Sequence, residues 1–317
     1  MIRLLLPLSF LVGCGGDEIV YLDLMSTMQS ETRGVVLYDD GQRGHAAMNG
    51  QTCEFDTLNG WLITDHDLPT ESESIQDTYG DEVLGRSDEG AHKVHAQADL
   101  FAPGLVQSRL MADGEVAMVR GGEGLCSLEV GAFDLALAPS FCDPGLHMDT
   151  DRERTVFLSD GDEVLAIDLP TGQSQTIADG VELVVYDRAA DMIYTAHLGG
   201  IEVTGRFPTG EVRWVTEVAG PIHALDDMGR RGLALVMVED VDTGRGVMQM
   251  IEGDSGEIVG EHGTPDPEVD VEVSDDGTTL ALTRPTEVFF YDITAEGEEP
   301  KDRKTLGRPD FDPTFSD

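Results

Sequence analysis

A sequence phrase of about 40 residues recurs along this chain and constrains its fold more than any other feature. Its clearest copy is Val269 to Gly297, VDVEVSDDGTTLALTRPTEVFFYDITAEG. Val269, Val271 and Val273 alternate, a Ser-Asp-Asp-Gly turn follows, and two apolar runs, Thr279 to Leu282 and Val288 to Tyr291, come after it. Period-two apolar runs bounded by Asp and Gly suit antiparallel strands and not a helix. The phrase Glu18 to Leu24 resembles Glu163 to Leu169, and Leu37 to Met48 matches Leu225 to Val236 in turn, Arg-Gly pair and small apolar strand. Turn anchors fall at Gly41, Gly80, Gly114, Arg152, Asp191, Gly229 and Gly277, with spacings of 39, 34, 38, 39, 38 and 48. The long last interval is accounted for by a polar hairpin insertion, Glu239 to Gly246.

A second set of turns, Asn59-Gly60, Thr171-Gly172, Thr209-Gly210 and Ser255-Gly256, follows a further strand in several units. Glycine there suits tight hairpins that require positive φ. Three or four short strands per 40-residue unit is the sequence signature of a β-propeller blade. Inner strand, Asp-Gly turn, second strand, third strand ending in Asp, Thr-Gly turn and fourth strand together resemble the WD-repeat and YVTN-type propellers over residues 18–307. There is no Trp-Asp dipeptide and no recurring Gly-His pair. The resemblance therefore implies an all-β single propeller and brings no activity with it.

Seven anchors point to seven four-stranded blades, with six or eight left open. The weakest unit lies between Trp61 and Gly104, where Pro69 to Ser74 reads as a loop and the strands near Val83 and Val94 are poorly patterned. The lone strand Ile19 to Leu24 is expected to pair with the last blade and remove the exposed edges of the ring. Residues 308–317 are expected to form a loose tail.

The first residues read differently. Met1 to Cys14 has one positive charge, a short apolar core and small residues before a cysteine, so residues 1–13 read as a secretory signal too short to span a bilayer. Leu11-Val12-Gly13-Cys14 resembles a bacterial lipobox. That resemblance implies lipidation of Cys14, residues 14–17 as lipidated end and tether, and membrane attachment through the acyl chains. Gly15 stands where an Asp would signal inner-membrane retention, which makes the outer membrane of the cell envelope the expected address.

Charge excludes some partners. Sixty-two Asp and Glu against 20 Lys and Arg give a net charge of -42, spread along the chain. Such a surface repels phosphate backbones, so no nucleic-acid partner is expected. Two readings of the acidity remain: a solvated surface adapted to salt or calcium, or steering of a basic protein partner.

Candidate chemistry is sparse. Beyond Cys14, Cys126 and Cys142 are one hairpin apart and form the candidate disulfide, while Cys53 occupies the place equivalent to Cys126 in a distant blade. The alternative is three buried apolar thiols. His147 and His223 fall at near-equivalent places on inner strands, and Asp270 and Glu272 lie on another, so these four are candidates for a ligand in the central channel. Their spacing fixes no metal geometry, and no metal site is assigned. His92 and His95 lie three residues apart in the weakest unit. Asp149 to Asp151, Asp240 to Asp242 and Asp275 to Gly277 offer oxygen ligands without the full calcium loop. No phosphate loop, dinucleotide fingerprint, nucleophile elbow or zinc-protease motif occurs, and no cofactor is called for. Two functions follow: a noncatalytic envelope lipoprotein that binds a protein partner, or a propeller enzyme of lactonase or hydrolase type using the channel histidines and carboxylates.

Overall fold

The computed structural model of the protein describes residues 20–29, 32–38, 41–48, 51–65, 74–79, 82–87, 90–94, 96, 98–122, 125–264, 269–284 and 286–295. The first strand, β1 (Val20–Gln29), belongs to the last blade. Blade 1 comprises β2 (Thr32–Leu37), β3 (Arg43–Met48), β4 (Gln51–Asp56) and β5 (Trp61–Asp65). Blade 2 comprises β6 (Ser74–Tyr79), β7 (Glu82–Ser87), β8 (Gly90–Lys93) and β9 (Ala98–Phe101). Blade 3 follows with β10 (Leu105–Leu110), β11 (Val116–Gly122), β12 (Leu125–Val130) and β13 (Phe133–Leu137). Blade 4 contains β14 (His147–Thr150), β15 (Thr155–Ser159), β16 (Glu163–Asp168) and β17 (Gln173–Asp179). In blade 5 these are β18 (Leu183–Asp187), β19 (Met192–Ala196), β20 (Glu202–Arg206) and β21 (Val212–Glu217). Blade 6 has β22 (Ile222–Asp227), β23 (Leu233–Glu239), β24 (Gly246–Glu252) and β25 (Ile258–Thr264). Blade 7 is built from β26 (Asp270–Val273), β27 (Thr279–Arg284), β28 (Glu287–Ala295) and, outermost, β1.

The protein is thus a seven-bladed β-propeller, each blade a four-stranded antiparallel meander. Blade 7 is completed from the other end of the chain: Val20 is the register partner of Ala295 and Gln29 of Glu287. Pairing the ends across one sheet closes the ring without a bare edge at the junction.

The ring is held by apolar seams. Each pair of neighbouring blades shares one buried cluster: Leu37, Phe55 and Phe290 between blades 7 and 1, Leu84 and Leu110 between 2 and 3, Tyr194, Trp214 and Val236 between 5 and 6. Middle strands are consequently buried on both faces. In β23 the run Leu233 to Val238 is buried throughout, whereas the outer strand β17 exposes Gln173 to Thr176. This explains why continuous apolar runs stand beside polar alternation within one repeat.

The described sequence anchors all fall between the first and second strands of a blade. Gly41, Gly114, Gly229 and Gly277 take φ of 62, 81, 57 and 68°. Arg152 and Asp191, the two anchors without glycine, are also the two non-glycine residues of positive φ among the described residues, at 67 and 50°. The backbone of this turn thus demands the left-handed region, and two blades meet the demand with a side chain present. Gly80 lies outside the described residues.

These turns define one rim of the propeller, the turn rim. The opposite rim, the loop rim, carries the links between second and third strands and the connections between blades. One sequence expectation is corrected here. The segment Pro69 to Ser74, read as a loop, ends on the first residue of an inner strand, since Ser74 opens β6. Ser-Ile-Gln-Asp-Thr-Tyr has little apolar alternation because its polar side chains serve the channel and neighbouring blades. Residues 66–73 lie outside the described set, as do Cys14, His95 and the tail 308–317.

Candidate functional site

Inner strands line a central channel, and their polar residues are placed by the repeat. Asp77, Asp149 and Asp226 each stand three residues before their anchors at Gly80, Arg152 and Gly229. Asp77 Oδ2 accepts from the Leu110 amide of blade 3 at 2.6 Å, and Asp149 Oδ2 accepts from the Tyr186 amide of blade 5 at 2.6 Å. Their other oxygens accept from Thr78 and Thr150 at 3.0 and 2.8 Å. Glu272 accepts from the Leu37 amide of blade 1, and Asp226 Oδ1 from its neighbour Asp227 at 2.9 Å. A buried acceptor left without a donor is expensive, so each bond to a neighbouring blade also fixes the angle between blades.

One guanidinium sits among these acids. Arg109 of β10 donates to the Gln76 carbonyl at 3.2 Å, and its charge reaches His147, Asp149, Asp226 and Glu272. Burial nevertheless dominates. It pushes the Glu272 carboxyl up to about 8, with the charge of Asp77 adding to the rise, and raises Asp149 and Asp226. Burial likewise pulls His147 down to about 4, assisted by Arg109, so its ring is neutral at pH 7. A ring N–H of His147 donates to the Val184 carbonyl, and Nδ1 has no hydrogen-bond partner.

The four sequence candidates do not assemble as one set. His147 and Glu272 share the field of Arg109. His223 occupies a β-bulge between Ile222 and Ala224, as Gln76 does between Ile75 and Asp77. A bulge residue is re-aimed relative to the regular alternation. His223 accordingly meets Glu239 of the next strand, Nε2 to Oε2 3.5 Å, an ionic contact when the ring is protonated. Asp270 is exposed at the start of β26, on the loop-rim side of Glu272. Among the described residues no three His, Cys, Asp or Glu side chains are placed to share a metal ion.

The acidic triplets serve as turn acceptors. Asp151 Oδ1 accepts from the amides of Glu153, Arg154 and Thr155, Asp240 Oδ1 from those of Asp242 and Thr243, and Asp276 Oδ1 from the Thr278 amide and hydroxyl. His92 is buried beside Gly85 of β7. Cys126 and Cys142 are disulfide-bonded, Cα atoms 5.7 Å apart, with Cys142 at the end of a 3-10 turn just beyond β13. Cys53 is buried in β4.

At the turn rim a second charged group spans three blades. Arg152 pairs with both carboxylate oxygens of Asp77 in blade 2, Nη2 to Oδ1 being 2.8 Å, and donates to the Leu110 carbonyl of blade 3 at 3.0 Å. The sequence signal that could have found Asp77, Asp149, Asp226 and Arg109 was available. These are charged residues at fixed offsets from the turn anchor, visible only when the repeats are stacked.

No family model matches the chain, and no curated protein matches it. Among solved structures it is similar to the Myceliophteria thermophila Cps50 (Swd1) β-propeller domain, with a TM-score of 0.61 and 10% identity over 86% of this chain and 100% of that one. The likeness is one of fold. It places this chain among WD-repeat-like propellers in architecture and leaves function to the residues described above.

Proposed function

We propose that the protein is a lipid-anchored, noncatalytic scaffold of the cell envelope that binds a protein partner through its loop rim. The observation that carries this is the use made of the channel. Among the described residues its carboxylates Asp77, Asp149, Asp226 and Glu272 are each engaged with a backbone amide of the same or a neighbouring blade.

The anchor in this reading is Cys14, and the place where β1 starts bears on which rim is available. Val20 pairs with Ala295, the end of β28 beside the turn rim, so β1 starts at that rim. Six residue steps separate Cys14 from Val20. Fully extended they reach about 20 Å. A lipid on Cys14 would hold the turn rim toward the membrane and turn the loop rim away from it. The outer membrane is the address this reading takes.

The test is crosslinking in intact cells followed by capture and mass spectrometry, with Cys14→Ser alongside. The scaffold reading expects a specific partner with wild type and release of the domain, or an uncleaved signal, with the variant. Membrane fractionation of Cys14→Ser identical to wild type overturns lipid anchoring. A hydrolase activity abolished by changing His147 and His223, with no partner recovered, would replace the scaffold with an enzyme.

A further inference from the structure

We propose that the loop rim of blades 5 and 6 is the docking surface, and that it takes a protein segment carrying an aliphatic side chain flanked by lysine or arginine. This deepens the scaffold reading and rests on it.

Three aliphatic side chains stand out of this rim: Leu198 at 46%, Ile201 at 45% and Val241 at 71% exposure. The first two belong to the link between β19 and β20, the third to the link between β23 and β24. Backbone bonds tie these links into one layer. The Gly199 amide donates to the Ile222 carbonyl at 2.8 Å and the Ile222 amide to the Gly200 carbonyl at 2.8 Å. The Val218 amide donates to the Ile201 carbonyl at 2.8 Å, and the Glu239 amide to the Pro221 carbonyl at 2.9 Å. A β-carbon on Gly220 would run into the Glu239 carbonyl and lie 3.7 Å from Val241 Cγ1, so the connector 218–221 passes under Val241. The three apolar groups therefore stand on one continuous platform made of two adjacent blades.

The frame of this platform is acidic in an unusual way. Glu202 and Glu217, both exposed, are register partners across β20 and β21, immediately beside Ile201. Like charges directly opposite each other in a sheet cost stability. Asp240 and Asp242 flank Val241, and Arg245 is the one Lys or Arg of the two links. A cation brought between Glu202 and Glu217 relieves their repulsion while an aliphatic neighbour covers Ile201 and Leu198. That pairing of chemistries selects a basic segment with an apolar anchor. A second copy of this chain is opposed by the net charge of -42.

The test is methyl-detected NMR on the full chain in detergent micelles, labelled at Ile, Leu and Val. The probes are a short synthetic peptide alternating Leu and Lys and its Leu-Glu counterpart. The Leu-Lys peptide is expected to shift Leu198, Ile201 and Val241 together and leave Leu125, Val215 and Ile258, which are exposed elsewhere, in place. Its affinity should fall roughly ten-fold from low to high salt. Leu198→Asp with Val241→Asp should weaken it by roughly ten-fold or more. Glu202→Gln with Glu217→Gln should weaken binding while leaving the melting temperature equal or higher, which a purely structural role for these residues does not produce. Equal shifts at Leu125 or Val215, equal binding of the Leu-Glu peptide, or no shift at all overturns the assignment. Shifts of the same three methyls on raising protein concentration alone would identify a second copy as the occupant and also overturn it. If cellular capture recovers a partner while these methyls stay silent, this surface is wrong and the scaffold stands. If capture recovers none and a hydrolase activity appears, the scaffold itself falls.

Discussion

The two rims of this propeller are built from the same repeat and are used in opposite ways. On the turn rim, side chains and carbonyls of one blade satisfy the next. Thr279 Oγ1 donates to the Gly41 carbonyl at 2.9 Å, Arg231 reaches the Gly277 and Ile293 carbonyls at 2.6 and 3.0 Å, and Arg152 joins three blades. On the loop rim, links of different length carry exposed Leu198, Ile201 and Val241. The loop rim also carries cross-blade backbone bonds, such as the Gly199 amide to the Ile222 carbonyl, but its longer links leave apolar side chains standing out from them.

The largest expected effect breaks the turn rim. Asp77→Ala removes the partner of Arg152, whose side chain is only 17% exposed, and strips the Leu110 amide of its acceptor. Uncovering one half of a buried pair costs about 3–5 kcal/mol. Urea unfolding should show a loss of that size, and a loss below about 1 kcal/mol would mean that the apolar seams alone hold blades 2 to 4 together.

Next in size is the covalent tie of the loop rim. The Cys126–Cys142 bond closes a segment of 16 residues and fixes the connector between blades 3 and 4. Loop-closure entropy for that length is about 3 kcal/mol. Cys142→Ser should cost about that much in the same unfolding measurement. Thiol counting on denatured, unreduced protein supplies the independent check, because the bond removes two thiols from the total.

The sequence made the repeat legible because apolar seams and turn geometry impose themselves on every blade. Each described anchor, including Arg152 and Asp191, marks a turn. The channel was less legible because a polar residue on an inner strand looks the same whether it faces a ligand or an amide of the next blade. His147 and His223 stand at near-equivalent places in the sequence, but the bulge at His223 re-aims it and pairs it with Glu239. Asp77 was lost in a polar stretch that lacked apolar alternation. Its role emerges only from contact with Arg152, 75 residues away.

A third measurement separates the channel from both rims by pH. The Glu272 carboxyl, raised to about 8 from 4.5, keeps its proton in the folded chain after the unfolded chain has released it. Stability from this group is therefore present at low pH and is lost as pH rises toward 8. Asp226, also raised by burial, acts in the same direction. His147, lowered from 6.5 to about 4, acts oppositely, because the unfolded chain takes up the proton first, and its effect is complete above pH 6.5. Between pH 6.5 and 8 the melting temperature should thus fall with rising pH, and Glu272→Gln should flatten that fall. An unchanged slope would mean that Glu272 ionises freely and that the channel is wetter than its burial implies.

The smallest expected effect sharpens the comparison within the turn rim itself. Arg152 and Asp191 occupy the same place in successive blades with φ of 67 and 50°, so glycine should relax both backbones equally. Glycine also makes the unfolded chain more flexible, which cancels part of that gain. Asp191 loses one exposed hydrogen bond, from the Tyr186 hydroxyl at 2.8 Å, so Asp191→Gly should change stability by less than about 1 kcal/mol in either direction. Arg152→Gly gains the same relaxation but leaves the Asp77 carboxylate buried without its cation, and should lose several-fold more. If the two substitutions cost the same in parallel urea titrations, the stiffness of the turn rim comes from its backbone conformation. If they differ as expected, it comes from the side chain that crosses the blades, and a left-handed arginine is kept at this turn because no glycine could make that bridge.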